Sequence, residues 1–288
     1  MNTQSPARES SIRAIFTFFG SSYLRPAVWK STLSIFRNFF ILQYKAALFP
    51  GRYPVSQVDH HLDEKIPFNP GKVDIYLEFL HFFIRAMGFL FRRFGLAVRK
   101  DIKNGILSLG AVYQKAAQVY ATNYSTTKRP RYLARFRFLV IHTFDPNLMC
   151  IPSLHVMVVI RTYTLFRAII EKLGEEDAYS NQIEELRNGA LAITEAVLYI
   201  KQHSVNCISA AMYAMTCFDD LFPQKEAESF ALSLFRNTQD ISGHSALAHQ
   251  DADAIRNHII DLYRHFLNER TSKWETPLLD FLKSHPQA

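Results

Sequence analysis

The chain has 288 residues, of which 48% are hydrophobic and 20% charged, and its formal net charge is +7 at pH 7. This length allows one large domain or two small ones, and three cysteines without metal-like spacing argue against a disulfide framework or a zinc site. Few segments alternate in polarity, whereas apolar residues recur at helical spacing over stretches of about 15 to 25 residues. The sequence therefore predicts an all-α protein.

Residues 1–58 hold most of the excess charge. Seven cations stand there against one carboxylate, Glu9, so the segment has a net charge of +6. Aromatic residues are interleaved with these cations, which suits an anionic membrane surface better than a nucleic-acid groove. We expect an anionic membrane surface as a partner and do not favour nucleic acid, while a solvated face over a buried aromatic stripe stays open. The seven cations are Arg8, Arg13, Arg25, Lys30, Arg37, Lys45 and Arg52.

A helical stripe of apolar residues runs through residues 31–48 and ends at Pro50-Gly51. Residues 52–72 are predicted to form a loop, because three prolines interrupt them. The adjacent His60 and His61 in this loop are interpreted as solvated side chains, so we expect no metal site and no cofactor. The stripe consists of Leu33, Phe36, Phe40, Tyr44 and Leu48.

Longer helices are predicted at residues 73–98, 102–120, 152–173, 184–200 and 205–218. Residues 122–131 form a basic connection, and Asp145-Pro146-Asn147 is a turn. After residue 218 the composition becomes polar, with one more helix predicted at 252–268. We therefore divide the chain into an N-terminal basic aromatic segment (1–58), a helical bundle (59–218) and a polar helical extension (219–288).

Two short motifs carry the chemistry. In Cys150-Ile151-Pro152-Ser153-Leu154-His155-Val156, a proline at a helix start is followed by a hydroxyl and an imidazole. Free backbone N–H groups, a serine and a histidine around one point favour a phosphate. His203, in Lys201-Gln202-His203, follows 48 residues later. A helix running out and another running back would bring the two imidazoles face to face, which suggests phosphoryl transfer through histidine.

With a third stretch, Leu62-Asp63-Glu64-Lys65-Ile66-Pro67-Phe68-Asn69-Pro70 leading to Ile75-Tyr76, these motifs resemble the type 2 phosphatidic acid phosphatase superfamily. The likeness is to its membrane branch related to inositol phosphorylceramide synthases, whose members read D-x-x-I-P-F-x-P … I-Y, C-[FI]-P-S-L-H-V and T-K-Q-H-Y-x-x-D. It implies a helical bundle of the phosphatase/haloperoxidase fold. It also implies a metal-independent phosphatase or head-group phosphotransferase acting on a lipid phosphate or prenyl diphosphate through a phosphohistidine.

The resemblance also implies roles for individual residues. His203 would be the nucleophile, and His155 the general acid that protonates the departing alcohol. Arg129, Ser153 and the N–H groups of residues 153–155 would cradle the phosphate. Lys128 and Lys201 would be further substrate-binding cations. The imidazoles are then expected within about 7 Å of each other, with Arg129 pointing between them.

The chain departs from the family pattern at three positions. Thr122 stands where the family has a lysine seven residues before Arg129-Pro130, Val197 where many members have an arginine, and Cys207 where the family keeps an aspartate four residues after the nucleophile. Lys128 or Arg131 could substitute for the missing lysine. Loss of the orienting carboxylate opens an alternative, a catalytically silent relative that serves as a membrane-associated binding or scaffold protein.

Membrane attachment is the remaining question. The mean hydropathy is −0.06, and no run of about 18 residues is both free of charge and mostly apolar. The family resemblance points the other way, because it places both histidine motifs at helix ends that meet lipid head groups. We therefore expect an integral membrane protein in preference to a peripheral one, with helices between residues 73 and 218 in the bilayer.

A further triplet, Ser242-Gly243-His244, copies a common family motif but lacks the preceding proline, and we interpret it as a loop.

Overall fold

Helix dominates the structure, a computed structural model that describes residues 5–130, 132, 136–236 and 247–287. It is 71% helix and 3% strand, so the prediction of an all-α protein is confirmed. In the described ranges the α-helices are α1 (Ser11–Gly20), α2 (Arg25–Ile35), α3 (Leu42–Leu48), α4 (Val73–Leu77), α5 (Phe79–Phe94), α6 (Arg99–Tyr120), α7 (Phe136–Phe144), α8 (Leu154–Leu173), α9 (Ser180–Tyr199), α10 (Val205–Thr216), α11 (Gln224–Ser233), α12 (His249–Asn268) and α13 (Thr276–Lys283).

Two short strands lie where the sequence predicted loops. β1 (Val55–Gln57) pairs in parallel with β2 (Tyr124–Thr126), with Val55 opposite Tyr124. The ladder is only three residues long, and just beyond it the Lys128 N–H donates a hydrogen bond to the Asp59 carboxylate. The pairing nevertheless holds the residue 59–69 segment beside the basic connection after β2.

The central helix is α8, which packs against α5, α6, α9 and α10. Every residue from Leu154 to Phe166 is buried, so even the first turn of α8 lies inside the protein. The helix ends at Gly174, whose φ of 69° is the left-handed conformation that glycine adopts at helix C-termini. Side chains on the first turn of α8 are therefore held by packing on all sides.

The helix predicted at residues 73–98 is divided. α4 stops at Leu77, and α5 stops at Phe94 because Gly95 takes a φ of 55°. A single 3₁₀ turn, Gly95–Val98, then leads into α6. After this break α6 packs against α2 as well as α8.

Charged side chains interrupt the apolar surfaces of the longest helices. Arg85 of α5 pairs with Glu78, and Arg161 of α8 pairs with Asp219. Among the residues that the structure describes, no helix is long and apolar enough to cross a membrane. The expectation of an integral membrane protein is therefore wrong, because charges at this frequency are costly in the hydrocarbon core of a bilayer.

One hydrophobic core extends from Ala14 in α1 to Leu282 in α13. Within it α2 packs on α6, and α12 packs on α10, so the first and last segments both contact the central bundle. The backbone of Ser56 in β1 also bridges to Gln287. The division into residues 1–58, 59–218 and 219–288 stays a prediction.

The close approach of α2 and α6 depends on a glycine. A Cβ at Gly110 would meet the Ser31 Cα at 3.0 Å, and Ser34 donates a hydrogen bond to the Gly110 carbonyl at 2.9 Å. Gly110→Ala should lower the free energy of unfolding by about 1 kcal/mol, because steric overpacking exceeds the gain in helix propensity. Gly20→Ala is the control, since a Cβ there meets nothing within 4 Å. Urea denaturation of both variants checks this, and equal stability of the two would contradict the packing argument.

Candidate active site

His155 lies in the first turn of α8, where the backbone leaves donors free. Ser153 is the N-cap residue but makes no side-chain capping bond, and its own N–H donates to the Cys207 carbonyl at 3.4 Å. The first N–H groups of a helix have no acceptor within it. The His155 ring is stacked on Tyr76, with ring centroids 4.3 Å apart, and contacts Phe79 at 4.1 Å. The helix start thus presents backbone donors beside an immobilised imidazole.

His203 lies in the tight connection between α9 and α10. Lys201 takes a φ of 57°, which reverses the chain after α9. The N–H groups of Gln202 and His203 then donate to the Val197 carbonyl, at 3.0 and 3.3 Å. Ser204 begins α10 by accepting a hydrogen bond from the Asn206 N–H. Because the backbone is bonded on both sides, His203 has a defined position rather than that of a free loop residue.

The two histidines meet as their order in the sequence predicts. Their ring centroids are 5.6 Å apart, with an angle of 64° between the ring planes. Both residues are buried, His155 at 8% and His203 at 6% exposure. The separation lies inside the 7 Å expected of a shared phosphate site.

The Arg129 side chain extends from the loop after β2 toward the two histidines. Its guanidinium donates to the Asp145 carboxylate at 3.1 Å and to the Gln202 carbonyl at 3.4 Å, next to His203. The side chain is only 8% exposed. Arg129 therefore joins the two histidines in one buried cluster.

Asp145 is the residue of this cluster that sequence reasoning missed. It was interpreted as part of a turn, and nothing in its local sequence distinguishes it from other turn aspartates. Burial opposes its ionisation, but Arg129, His155 and His203 outweigh that effect and lower the pKa of Asp145. The cluster therefore contains a buried carboxylate that does not come from the position where the family keeps one.

Several buried polar atoms of this cluster have no hydrogen-bond partner among the described residues. Native proteins rarely leave such atoms unpaired, so a group of them points to a polar ligand. The thiol of Cys150 lies near the His203 ring, yet neither ring nitrogen has a partner in good geometry. The atoms are Ser153 Oγ, Arg129 Nε, Gln202 Oε1, His203 Nδ1 and His203 Nε2.

Cys207 stands where the family that the motifs resemble has an aspartate. Burial and a hydrogen bond with Cys150 raise the pKa of the Cys207 thiol. The bond from Cys207, with His203 and Arg129 nearby, lowers the pKa of Cys150 in spite of its burial. Cys207 therefore stays a neutral thiol that interacts with Cys150, and it does not orient the His203 ring directly.

A carboxylate from the third motif holds the His203 connection. Asp63 accepts hydrogen bonds from the Val205 N–H at 2.8 Å and from the His60 N–H at 2.8 Å. In return, the Lys201 ammonium donates to the carbonyls of Asp63 and Ile66. The segment after β1 therefore braces the loop that carries His203.

Asp59 holds the loop that carries Arg129, because its carboxylate accepts a hydrogen bond from the Lys128 N–H at 2.9 Å. Lys128 itself is exposed at a cleft of about 770 Å³, which Arg129 and Lys201 also line. The structure thus brings Arg129 and Ser153 to the histidine pair, whereas Lys128 and Lys201 line the cleft, which neither histidine of that pair lines. Lys201 is bonded to backbone carbonyls, which limits its reach toward a ligand.

Two other sequence interpretations concern histidines. His60 is stacked on His258 of α12, with ring centroids 3.9 Å apart, and contacts His61 at 4.2 Å. In the part of the chain that the structure describes, no three His, Cys, Asp or Glu side chains are grouped to hold a metal ion. Arg131 and the triplet Ser242-Gly243-His244 lie outside the described residues.

Comparison of the chain with family models, with curated proteins and with solved structures returns no match. What the site can do must therefore be argued from its own residues.

Burial of His155 makes the stability of the fold depend on pH. Burial, together with His203 and Arg129, lowers the pKa of His155 to about 3, whereas an unfolded histidine titrates near about 6.5. The unfolded chain therefore binds a proton that the folded protein does not, and stability decreases as pH falls below 6.5. Between pH 7 and 5.5 His155 should account for a loss of about 1 kcal/mol. Urea denaturation at the two pH values should show a smaller loss for His155→Gln, and an unchanged loss for the exposed control His81→Gln.

Arg129 should decide whether the site binds an oxyanion. Phosphate in hundredfold excess over its Kd should raise the Tm of the native protein by about 5 °C. Arg129→Gln should remove this rise because it removes the buried guanidinium, whereas the exposed neighbour Lys128→Gln should keep most of it. Differential scanning fluorimetry with and without phosphate measures the rise separately from any loss of stability in the variant. An undiminished rise in Arg129→Gln would exclude Arg129 from the site.

Proposed function

We propose that this protein transfers a phosphoryl group from a phosphate ester through His203, as a metal-independent phosphatase or head-group phosphotransferase. The observation that carries the proposal is the approach of the His155 and His203 rings to 5.6 Å beside the guanidinium of Arg129. Three motifs in family order support a bundle related to the type 2 phosphatidic acid phosphatases. The same resemblance suggests a lipid phosphate or prenyl diphosphate as the substrate.

Binding would use the donors that are already in place. The phosphate oxygens would accept hydrogen bonds from Arg129, from the Ser153 hydroxyl and from N–H groups at the start of α8. Arg129 Nε and Ser153 Oγ have no other partner in the described structure. Such preorganised donors suit the charge that develops on the equatorial oxygens during phosphoryl transfer.

The reaction would proceed in two steps. A His203 nitrogen attacks phosphorus, the phosphorus–oxygen ester bond breaks, and the departing alkoxide takes a proton from His155. Water or an alcohol acceptor then attacks the phosphohistidine, its proton passes to His155, and the phosphorus–nitrogen bond breaks. This regenerates both histidines.

The low pKa of His155 is compatible with the role of proton donor. In the free protein, burial and the nearby Arg129 guanidinium keep the imidazole neutral at pH 7. A phosphate dianion bound between His155 and Arg129 would raise that pKa, because a nearby negative charge favours the protonated imidazole. The acid would thus be charged only when substrate is bound.

The substrate class is supported by the cleft beside Arg129. Ile66, Pro67 and Phe68 line this cleft together with Lys128, Arg129 and Lys201. Asp59, Asp63 and Glu64 line it as well, and Asp59 and Asp63 accept backbone hydrogen bonds. The apolar and cationic side chains suit a molecule with a phosphate at one end and a hydrocarbon at the other.

The alternative is a relative that binds but does not turn over, and one observation favours it. Cys207 stands in place of the family aspartate, and neither nitrogen of His203 has an acceptor that would fix its tautomer. Loss of the orienting carboxylate in a catalytic triad lowers the rate by about 10⁴. A silent protein of this kind would still bind phosphate at Arg129 and serve as a binding or scaffold protein.

Phosphatase assays distinguish the two proposals. The active protein should release orthophosphate from phosphatidate or a prenyl diphosphate in EDTA, should be inhibited by vanadate, and should form an acid-labile phosphohistidine after rapid quenching. His203→Ala should reduce turnover by about 10⁴-fold or more, as loss of a nucleophile does, while His81→Ala should not. Activity that survives His203→Ala would remove this residue from the mechanism. If the protein binds phosphate but shows neither turnover nor a trapped phosphohistidine, it is the silent relative.

A further inference from the structure

The helices before residue 50 have an unusual distribution of side-chain size. α2, the π-helical turn Phe36–Ile41 and α3 follow one another directly, so that residues 25–48 form a single helical stretch. Its fully buried residues are small or polar, among them Ala27, Ser31 and Ala46. Ile35, Phe39 and Leu42 pack against the core while partly buried. A small residue is needed at Ser31 because α2 lies close to Gly110 of α6 there.

Several large apolar side chains of this stretch point outward instead. Trp29 is 60% exposed, Leu33 68% and Leu48 72%, and Phe36 also faces outward. A surface helix of a globular protein normally shows the opposite arrangement, with its large apolar residues against the core. The helical stripe that the sequence predicted is therefore real, but much of it faces away from the protein.

Cations accompany these exposed apolar side chains. Lys30, Arg37 and Lys45 are exposed on the same helical stretch, and Arg13 is exposed on α1 beside Ile12 and Phe16. No exposed carboxylate balances them in residues 5–58, because Glu9 is buried and pairs with Arg92. The surface thus combines uncompensated positive charge with exposed hydrocarbon. We call it the outer helical face and define it by the exposed side chains of residues 12–49.

The outer helical face continues toward the candidate active site. Tyr44 donates a hydrogen bond to the Thr143 carbonyl at the end of α7, and Phe136 and Leu139 of α7 are exposed. Asp145, which pairs with Arg129, follows α7 directly.

We propose that the outer helical face docks on an anionic lipid surface, with residues 25–48 lying in the plane of the interface. Apolar side chains would enter the head-group region while the cations contact lipid phosphates, as amphipathic interfacial helices do. A two-fold dimer through the same face would bring its uncompensated cations together, so charge favours anionic lipid over a second copy of the chain. Nucleic acid is less suited, because it offers no apolar layer for Trp29 and Leu33.

Vesicle sedimentation with the full-length protein tests the proposal. The protein should sediment with vesicles of phosphatidylcholine and phosphatidylserine, and much less with phosphatidylcholine alone or at high salt. Lys30→Ser combined with Arg37→Ser should weaken binding by about 25-fold, because each cation near an anionic surface contributes about fivefold. Trp29→Ser combined with Leu33→Ser should weaken it by about tenfold or more. Brominated lipids should quench Trp29 fluorescence.

Matched controls come from α11. Leu232 is 47% exposed and Lys225 is exposed, so Leu232→Ser and Lys225→Ser remove the same kinds of side chain elsewhere. Both should bind vesicles as the native protein does, and so should His203→Ala, which separates docking from phosphoryl transfer.

Three outcomes would overturn the proposal: equal binding to neutral and anionic vesicles, an equal loss in the α11 controls, or vesicle binding that both double variants retain. A dimer that dissociates in Trp29→Ser with Leu33→Ser, in a protein that binds no vesicles, would show that a second copy covers this face.

Discussion

A buried ion pair between Arg129 and Asp145 joins segments that are distant in sequence. Arg129 follows β2, Asp145 follows α7, and the guanidinium also bonds the carbonyl of Gln202 between α9 and α10. Removing either charge would leave the other buried without a partner, which is strongly destabilising. The position of His203 relative to His155 depends on this cross-link and on Asp63, which holds the other side of the same connection through the Val205 N–H.

These constraints shape the electrostatics of the site. A guanidinium, a carboxylate, two imidazoles and a thiol lie together away from solvent, where charges interact more strongly than in water. Arg129 holds Asp145 ionised, and burial keeps His155 neutral. The arrangement leaves Arg129 Nε and Ser153 Oγ without a partner among the described residues, and a ligand with acceptor oxygens could satisfy both. These unpaired groups are thus compatible with an oxyanion.

The pairing of cations distinguishes the interior helices, for which the membrane-spanning prediction is wrong, from the helices of the outer helical face. The interior helices carry arginines that the protein pairs internally, such as Arg161 with Asp219, so their polar groups are satisfied without a bilayer. The peripheral helices carry unpaired cations next to exposed aromatic side chains. Gly110 of α6 approaches Ser31 of α2 so closely that only small side chains fit at that crossing, and Trp29 and Leu33 of α2 are exposed.

The sequence by itself determined the helical class, most of the long helices and the two histidines, because apolar periodicity and the Pro-Ser-x-His order are local properties of the chain. Only the tertiary structure decided that Asp145 and Asp63 serve the site, since each contacts residues more than fifteen positions away in sequence through bonds that no local pattern encodes. The same limit applies to the stripe at residues 31–48. Periodicity shows that Leu33, Phe36 and Leu48 share one side of a helix, but which side faces the core depends on the space that the neighbouring helix leaves.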